Sequence, residues 1–303
     1  MKQAEESPVS LSGILVIDKE RGLTSHDVVA RVRRITGERK AGHTGTLDPA
    51  ATGVLPVCLG AATKVIEYLQ ESTKTYYAEV VLGVATDTDD LEGRIVAEAP
   101  VPALTADDLD RALAPFRGAI EQVPPMYAAI KVGGRKLYDL ARAGETIERA
   151  PRAVRIDTLA LVGWDPPVAR LLIDCSKGTY IRAIARDLGR ALGCGAYLHR
   201  LVRLRTGPFC LDQALTLAEL ERDFAVTPWP ELALHPDAAL RDWPALVVDE
   251  AGAAAWRNGQ ALRLGAGAAG ERCRVYSTDG DWLGLGRYDE AELAWRPEKV
   301  VAP

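Results

Sequence analysis

The sequence predicts an α+β fold in two domains. The first, residues 1–240, is expected to contain a mixed, largely antiparallel sheet, and the second, residues 245–303, a small β-barrel. Segments with strand and helix patterns mix without the regular alternation that a parallel sheet requires. Prolines break the pattern over residues 228–236, which indicates a linker. Short strands follow, and Asp279-Gly280 between the last two is typical of a β-hairpin.

The period of the apolar residues assigns the elements of the first domain. It predicts strands over Gly13–Lys19, Lys74–Ala85, Val154–Trp164, Val168–Cys175 and Leu198–Thr206. It predicts helices after the capping residue Thr24, over Ala61–Gln70, over Thr105–Phe116 and from Thr179 onwards. In the second domain the same reasoning predicts a short helix over Ala251–Asn258 and strands over Cys273–Thr278 and Trp282–Tyr288.

The composition is that of a globular protein. The chain has 303 residues, of which 48% are hydrophobic and 26% charged. No apolar run reaches the ~18 residues that a membrane helix needs, and the N-terminus lacks the apolar region of a secretory signal. The five cysteines form no CxxC pair and no Cys–His spacing typical of zinc. We therefore expect a cytoplasmic protein with buried, reduced thiols, no metal and no membrane contact.

The net charge of −5 argues against a nucleic-acid partner when it is taken alone, but the charges are unevenly distributed. Residues 28–40 contain five basic side chains and one acidic one, and Arg200, Arg203 and Arg205 form a second basic cluster. Residues 87–110 contain eight acidic side chains and one basic one. Such a chain can bind phosphate on one face and stay acidic overall, although ordinary solvated surface charge explains the pattern equally well.

Residues 42–53 form the segment that indicates chemistry most directly. They contain three glycines, three threonines, a histidine and one carboxylate, and almost nothing that could build a core. A loop of this composition usually presents a functional group. The candidate is Asp48, which the following Pro49 biases towards extended geometry. A carboxylate without a His or Cys cluster beside it suggests acid–base or covalent chemistry without a metal.

Three short motifs resemble known sites and are interpreted as structural. Residues 265–270 match G-x-G-x-x-G, but a strand follows them where a helix should begin, so we expect a flexible loop. Residues 87–91 resemble the start of a calcium loop, but Leu91 stands where a ligand should be, so we expect a solvated acidic loop. Ser25-His26-Asp27 contains the residue types of a catalytic triad, but their adjacency indicates a helix cap.

Four segments carry more polar and aromatic residues than a fold needs: the Asp48 loop, Lys74–Tyr77, Ser176–Arg182 and His199–Leu201. The longer motifs here are GHTGTLDPAATGVLP, KTYYAEVVLGVATDTDDLEG, PPMYAAIKVGGRKLYDLARAGE and CSKGTYIRAIARDLG, preceded by DKERGLTS. In this order they resemble the motif series of the TruB family, the bacterial tRNA pseudouridine-55 synthases, over essentially the whole chain. Two departures from the family pattern, Glu20-Arg21 for Pro-x and Ala128 for serine, leave the expected chemical residues intact.

The resemblance implies a pseudouridine synthase fold followed by a PUA-like RNA-binding domain. It implies that the uridine at position 55, in the T-loop of tRNA, becomes pseudouridine: the N1–C1′ bond breaks, the uracil rotates, and C5 bonds to C1′. No cofactor and no metal is implied. Because the target base is stacked inside the T-loop, the enzyme must flip it out. The implied partner is the T-arm of tRNA, with no guide RNA, and we expect a monomer.

The resemblance also assigns three chemical residues. Asp48 would be the catalytic carboxylate, either attacking C1′ or acting as a base at C2′. Arg182 would pair with Asp48, keep it charged and orient it. Tyr76 would stack on the flipped uracil and place its hydroxyl near C5. Taken one at a time, a loop turn, a structural ion pair and a half-buried strand aromatic explain these residues as well; their joint occurrence in family order favours the chemical interpretation.

The remaining expected contacts surround the base and the RNA backbone. Tyr180 and Leu201 would complete the pocket wall, and His43 would lie near the loop nucleotides as the base leaves the stack. Lys19, Lys64 and the basic residues of 31–40 would contact phosphates.

Two other functions stay open at this point. One is a guide-RNA-dependent pseudouridine synthase, which has the same chemistry; residues 117–152 favour a stand-alone enzyme that grips the RNA itself. The other is a non-catalytic protein that opens and refolds tRNA, which the intact Asp48, Tyr76 and Arg182 disfavour.

Overall fold

The computed structural model describes residues 11–128, 131–132, 135–136 and 147–301. Ten N-terminal residues and part of the 117–152 segment singled out above lie outside these ranges. No helix among the described residues is both long and apolar enough to cross a membrane.

The first domain is built on one large sheet. Its strands in chain order are β1 (Gly13–Lys19), β2 (Ala41–His43), β3 (Thr52–Leu59), β4 (Lys74–Leu82), β5 (Val84–Thr86), β6 (Ile95–Glu98), β7 (Gly118–Gln122), β8 (Lys131–Val132), β9 (Arg135–Lys136), β10 (Arg152–Asp165), β11 (Val168–Cys175), β12 (Ala196–Thr206) and β13 (Phe209–Cys210). Within the described ranges nine of them form a sheet of order β1-β3-β12-β4-β11-β10-β7, with β2 beside β3 and β13 beside β12. Its pairings are antiparallel except that between β12 and β3, so the predicted mixed, largely antiparallel sheet is confirmed.

Helices cover this sheet. They are α1 (Ser25–Thr36), α2 (Ile66–Glu71), α3 (Ala106–Leu113), α4 (Ile181–Ala191), α5 (Leu217–Asp223) and α6 (Trp229–Leu232). Three of them begin with a capping box, in which a threonine and a carboxylate three residues later satisfy each other's backbone N–H groups; the threonines are Thr24, Thr105 and Thr216. Helix α4 buries one face against β12 and β4, which fixes its N-terminal turn over the sheet.

A separate four-stranded sheet forms the C-terminal unit, as the sequence predicts. Its strands are β14 (Ala245–Val248), β15 (Arg272–Ser277), β16 (Trp282–Asp289) and β17 (Ala294–Val300), paired in that linear order. Helix α7 (Glu250–Arg257) packs on it and buries Trp256 completely. The unit therefore has a core of its own.

The two units also share an apolar cluster. Trp282 and Leu285 of β16 pack with Val16 of β1 and Phe209 of β13. Around this cluster, the ammonium of Lys299 lies 2.6 Å from a carboxylate oxygen of Glu67. The apolar cluster and this ion pair join residues on the two sides of the predicted linker. The C-terminal unit is therefore packed against the rest of the chain.

Several elements differ from the sequence prediction. Strand β3 begins inside the glycine-rich segment 42–53, which the sequence analysis interprets as a loop. It forms because it pairs with β1 and β12 in the sheet and its apolar side chains are buried. The strand predicted over Lys74–Ala85 breaks at Gly83, whose φ of +94° belongs to the region that favours glycine. Half of the predicted helix over Ala61–Gln70 is a 3₁₀ helix, Gly60–Val65.

Candidate active site

The four segments singled out in the sequence converge on one cavity of about 280 Å³. The Asp48 loop joins β2 to β3 and forms one side of it. Tyr76 of β4 and Leu201 of β12 contribute from the sheet, and Tyr180 and Arg182 from the start of α4. The volume is close to the lower end of the ~300–1,000 Å³ usual for small-molecule sites, so the cavity suits one flat base.

Asp48 lies at the cavity because the loop that carries it is tied to α1. The Ser25 hydroxyl accepts a hydrogen bond from the Leu47 amide at 2.9 Å and lies 3.2 Å from the Leu47 carbonyl oxygen. On the other side, the Gly22 amide donates to the Pro49 carbonyl at 2.8 Å. Asp48 thus sits on fixed backbone, and its side chain remains 43% exposed towards the cavity.

Arg182 pairs with Asp48 from inside the protein. Its guanidinium nitrogen lies 2.8 Å from an Asp48 carboxylate oxygen, while its own side chain is only 6% exposed. Behind it stand the Tyr127 carbonyl at 2.9 Å, the Thr88 carbonyl at 3.3 Å and an Asp90 carboxylate oxygen at 3.5 Å. A planar fork held at several points presents its remaining donor in one direction, so Arg182 fixes the orientation of the Asp48 carboxylate.

The acidic loop around Asp90 is therefore not the solvated loop that the sequence suggested. Asp90 is buried beside Arg182, and a carboxylate oxygen of Asp89 lies 3.3 Å from the guanidinium of Arg186. Burial raises the pKa of Asp89, and the neighbouring arginines oppose that shift. The carboxylates of this loop act as counterions to two arginines that α4 buries against it.

The alternation of side chains along β4 directs Tyr76 towards the cavity. In β4 every second residue from Lys74 is buried, and Tyr76 belongs to that inner set. Its phenol is only 9% exposed, and burial raises its pKa. The register pairs Tyr76 with Ile173 on one side and Arg203 on the other. The ring is thus rigidly placed, with one face towards the cavity.

Tyr180 stands at the position before α4 and is held through its backbone. Gln122, which is buried at the end of β7, accepts a hydrogen bond from the Tyr180 amide at 2.8 Å and donates to the Tyr180 carbonyl at 3.1 Å. Burial raises the pKa of the Tyr180 phenol. Leu201 is half-buried on β12 and lines the same cavity.

Comparison with known proteins assigns the chain to a family. The TruB family pseudouridylate synthase N-terminal model matches residues 33–181, the tRNA pseudouridylate synthase B C-terminal domain matches residues 182–234, and the pseudouridine synthase II TruB C-terminal model matches residues 244–301. The chain belongs to the TruB family.

Relatives and solved structures agree with this assignment. A tRNA pseudouridine synthase B of Pseudomonas aeruginosa (strain UCBPP-PA14) is 45% identical over 305 residues, 99% of each chain. That of Symbiobacterium thermophilum is 52% identical over 252 residues, 82% of each chain. Among solved structures, a Cbf5-Nop10-Gar1 complex matches with a TM-score of 0.73 at 26% identity, over 100% of this chain and 92% of the other. An H/ACA RNP bound to a substrate RNA containing 2'-deoxyuridine matches with a TM-score of 0.72 at 25% identity, over 96% and 85%.

Arg203 is the residue of this TruB-family site that the sequence analysis missed. It is 1% exposed, and its guanidinium donates to the carbonyls of Val54 at 2.7 Å, Gly45 at 3.1 Å and Thr46 at 3.5 Å. At Gly53, with φ of +99°, a Cβ atom would lie 2.3 Å from the Arg203 carbonyl oxygen. The sequence shows Arg203 only as one member of a basic cluster, and two β-bulges in β12 disturb the alternation that would have pointed it inward.

Lys19 does not lie where the sequence analysis expected it. It is fully buried beneath the Asp48 loop, where its ammonium donates to the carbonyls of Leu23 at 2.7 Å, Glu20 at 3.0 Å and Pro49 at 3.2 Å. Burial lowers its pKa to about 8, and the charge of Asp48 opposes that shift. A side chain without exposed surface has no face to offer a phosphate, so the expected phosphate contact is wrong, and Lys19 supports the loop instead.

His43 lies at the start of the loop, outside the cavity wall. Its ring packs edge-on against His26, with 5.4 Å between ring centroids, and its Nδ1 accepts a hydrogen bond from the Gly45 amide at 3.3 Å. Burial, and then the charges of His26 and Arg203, lower the pKa of His43 to about 4. The ring is therefore neutral near pH 7.

Lys64 and the basic residues of 31–40 lie away from the cavity. The Lys64 ammonium donates to the Val300 carbonyl of the C-terminal unit and lines a second, open cavity of about 650 Å³ with Lys40 and Arg257. Burial lowers the pKa of Lys64. Most side chains of the basic cluster are exposed; Arg31 is half-buried.

Proposed function

We propose that this chain converts the uridine at position 55 of tRNA to pseudouridine, without a guide RNA. The observation that carries the proposal is the Asp48–Arg182 ion pair of 2.8 Å at the mouth of a cavity sized for one base. The relatives at 45–52% identity are named tRNA pseudouridine synthase B, which supports the same substrate.

Entry of the base is the first requirement. A uridine stacked in the T-loop must leave its stack at a cost of a few kcal/mol, and the apolar surfaces in the cavity offset that cost. Tyr76, Tyr180 and Leu201 supply these surfaces. Stacking on an aromatic ring contributes ~1–3 kcal/mol per base, so Tyr76 alone offsets much of the cost of unstacking.

Asp48 then acts on the sugar. A carboxylate that is partly exposed and oriented by Arg182 can attack C1′ or remove the proton at C2′; in both routes the N1–C1′ bond breaks and the uracil is released inside the cavity. Rotation of the base brings C5 to C1′. As the new C–C bond forms, the bond between Asp48 and C1′ breaks in the first route, and C2′ regains its proton from Asp48 in the second. C5 then loses its proton and N1 gains one. Substrate and product are therefore isomers, and the reaction consumes no cofactor.

The RNA outside the cavity needs a positive surface. We infer that the exposed basic residues of 31–40 and Lys64 contact phosphates, and that neutral His43 lies against a nucleotide next to the flipped base. These contacts fix the position of the RNA and leave the chemistry to the cavity. We further infer that the chain acts as a monomer in the cytoplasm, and that the C-terminal unit is a PUA-like module that contacts the same tRNA.

One observation favours a second candidate. The solved structure with a TM-score of 0.72 is an H/ACA RNP bound to a substrate RNA, so a guide-RNA-dependent reaction on this fold is the alternative. Its identity of 25% is well below the 45–52% shared with the tRNA enzymes, which favours the stand-alone reaction.

The decisive experiment uses the purified chain and an unmodified tRNA transcript labelled with tritium at C5 of uridine. We expect tritium release from position 55 in the absence of any other RNA, because C5 loses its proton when the new bond forms. The same transcript with cytidine at position 55 is the matched control and should release nothing. Binding without release would favour a tRNA-folding protein, and release only after addition of a guide RNA would favour the second candidate.

A further inference from the structure

Three cationic side chains are buried beneath the Asp48 loop or in the lining of its cavity. Lys19, Lys74 and Arg203 are 0%, 6% and 1% exposed. None of the three has a carboxylate oxygen within 4 Å among the residues that the structure describes. Burying an unpaired charge costs several kcal/mol, so such groups are usually retained for a function.

The burial of Lys19 and Arg203 is explained in large part by their hydrogen bonds to carbonyls of the Asp48 loop. Among the described residues, Lys74 makes no hydrogen bond to that loop: its ammonium donates to the carbonyls of Gln70, at 2.7 Å, and Ser72, both at the end of α2. An ammonium has three donors, so one remains for another acceptor. Lys74 also lines the cavity, and burial followed by the charge of Arg203 lowers its pKa to about 8, which leaves it largely protonated near neutral pH.

Strand register places Lys74 on the same side of the cavity as Tyr76. Lys74 and Tyr76 are successive inward residues of β4, and Arg203 of β12 is the cross-strand partner of Tyr76. The described lining of the cavity contains one carboxylate, Asp48, and four cationic side chains: Lys74, Lys177, Arg182 and Arg203. Arg182 is already paired with Asp48 and Asp90. The lining of the cavity is therefore more positive than a neutral uracil requires.

The proposed reaction supplies a transient anion there. When the N1–C1′ bond breaks, its electron pair stays on N1, and the negative charge spreads to O2 and O4 of the detached uracil. The sugar is left bonded to Asp48 or has lost its C2′ proton to Asp48. We propose that Lys74, with Arg203 behind it, stabilises the uracil anion between cleavage of the N1–C1′ bond and formation of the C5–C1′ bond. The inference rests on the proposed function and adds a residue to its chemistry.

The test compares two T-arm RNAs, one with uridine and one with 5-fluorouridine at the target position, in single-turnover reactions at saturating enzyme. The fluoro base carries fluorine at C5 in place of the hydrogen that leaves, so its reaction stops once the C5–C1′ bond has formed. The rate measured for both RNAs is therefore the consumption of the starting nucleoside. Fluorine stabilises the base anion, so the fluoro substrate depends less on a cation in the cavity. Lys74→Gln keeps hydrogen-bond donors for the α2 carbonyls and removes the charge. We expect it to lose about 10²–10³-fold in rate with uridine and at least tenfold less with 5-fluorouridine. Lys74→Arg keeps the charge and should retain most of the wild-type rate and the wild-type ratio between the two substrates.

Lys177→Gln is the matched control, because Lys177 lines the same cavity but is 58% exposed and pairs with Glu71. Whatever its effect on rate, the ratio between the two substrates should stay that of the wild type. Equal losses of Lys74→Gln on both substrates, or a loss in Lys74→Arg as large as that of a folded Lys74→Gln, would overturn the proposal. Melting temperatures show whether Lys74→Gln is folded. If it is not, an altered ratio between the two substrates in Lys74→Arg would overturn the proposal. A wild-type chain that converts neither RNA would instead refute the proposed function.

Discussion

Replacing Arg182 with lysine tests whether the orientation of Asp48 depends on the guanidinium fork or only on a nearby positive charge. Arg182 reaches Asp48 at 2.8 Å and Asp90 at 3.5 Å from opposite sides, with two backbone carbonyls between them. Lysine has one nitrogen and cannot span both carboxylates. At least one of the two ion-pair contacts is lost, and a polar contact between charged groups is worth about 1.5–3 kcal/mol. If Asp48 loses it, single-turnover conversion should slow by about 10- to 150-fold, since each ~1.4 kcal/mol is a factor of ten.

Arg186→Lys is the matched control for this measurement. Arg186 lies one turn further along α4, is equally buried, pairs with Asp89 at 3.3 Å and Asp187 at 2.8 Å, and does not line the cavity. Both variants should lower the melting temperature, but only Arg182→Lys should slow the reaction at saturating tRNA. A rate of Arg182→Lys close to that of the wild type, or an equal slowing in both variants, refutes the argument from the fork.

Three further outcomes are expected. Asp48→Asn is nearly isosteric and removes the charge, so pseudouridine formation should vanish while the tRNA Kd stays within about tenfold; measurable turnover by a clean preparation contradicts the role of Asp48. Tyr76→Phe should lower kcat with little change in Kd if the hydroxyl acts, whereas only Tyr76→Leu should be severe if the ring merely stacks; we expect the former, and full activity of Tyr76→Phe would reverse that choice. His43 takes up a proton more readily when unfolded, because its pKa is about 4 in the fold against 6.5 for the free side chain. The free energy of unfolding should therefore fall as the pH drops from about 6.5 towards 4, and urea titrations should show a smaller fall in His43→Gln.

The local pattern of the sequence predicts the orientation of those site residues that lie on strands and helices. Alternation along β4 gives Tyr76 its inward face, and the helical period after Tyr180 places Arg182 in the first turn of α4. The convergence of these segments with Asp48 comes from the resemblance to the TruB family, because no pattern in one strand or helix reveals its neighbours in the sheet. The order β12-β4-β11, which brings Tyr76 beside Arg203, depends on contacts between residues 87 to 132 positions apart.

At the site, the errors of the sequence analysis concern charged residues. Lys19, Arg203 and Asp90 were expected at the surface, since charged side chains are almost never buried unless paired. Composition gives no sign of the partners that allow their burial. Asp90 is held by Arg182 from another element, and Lys19 and Arg203 are held by backbone carbonyls that exist as free acceptors only once the loop has its folded shape.

The same pairing explains how a glycine-rich loop can hold the Asp48 carboxylate rigidly. Residues 44–51 belong to no strand or helix, so most of their carbonyls lack the partners that a sheet or helix provides, and such groups must be satisfied in some other way. Arg203 takes the carbonyls of Gly45 and Thr46, and Lys19 takes that of Pro49, on either side of Asp48. The carbonyls of the loop accept hydrogen bonds from the two buried cations, which lowers the cost of burying their charges. The cations in turn hold the loop in one conformation, which its glycine-rich sequence alone would not do. A neutral substitute at Lys19 or Arg203 would therefore remove a buried charge and still disorder Asp48, because the free carbonyls would be left without donors.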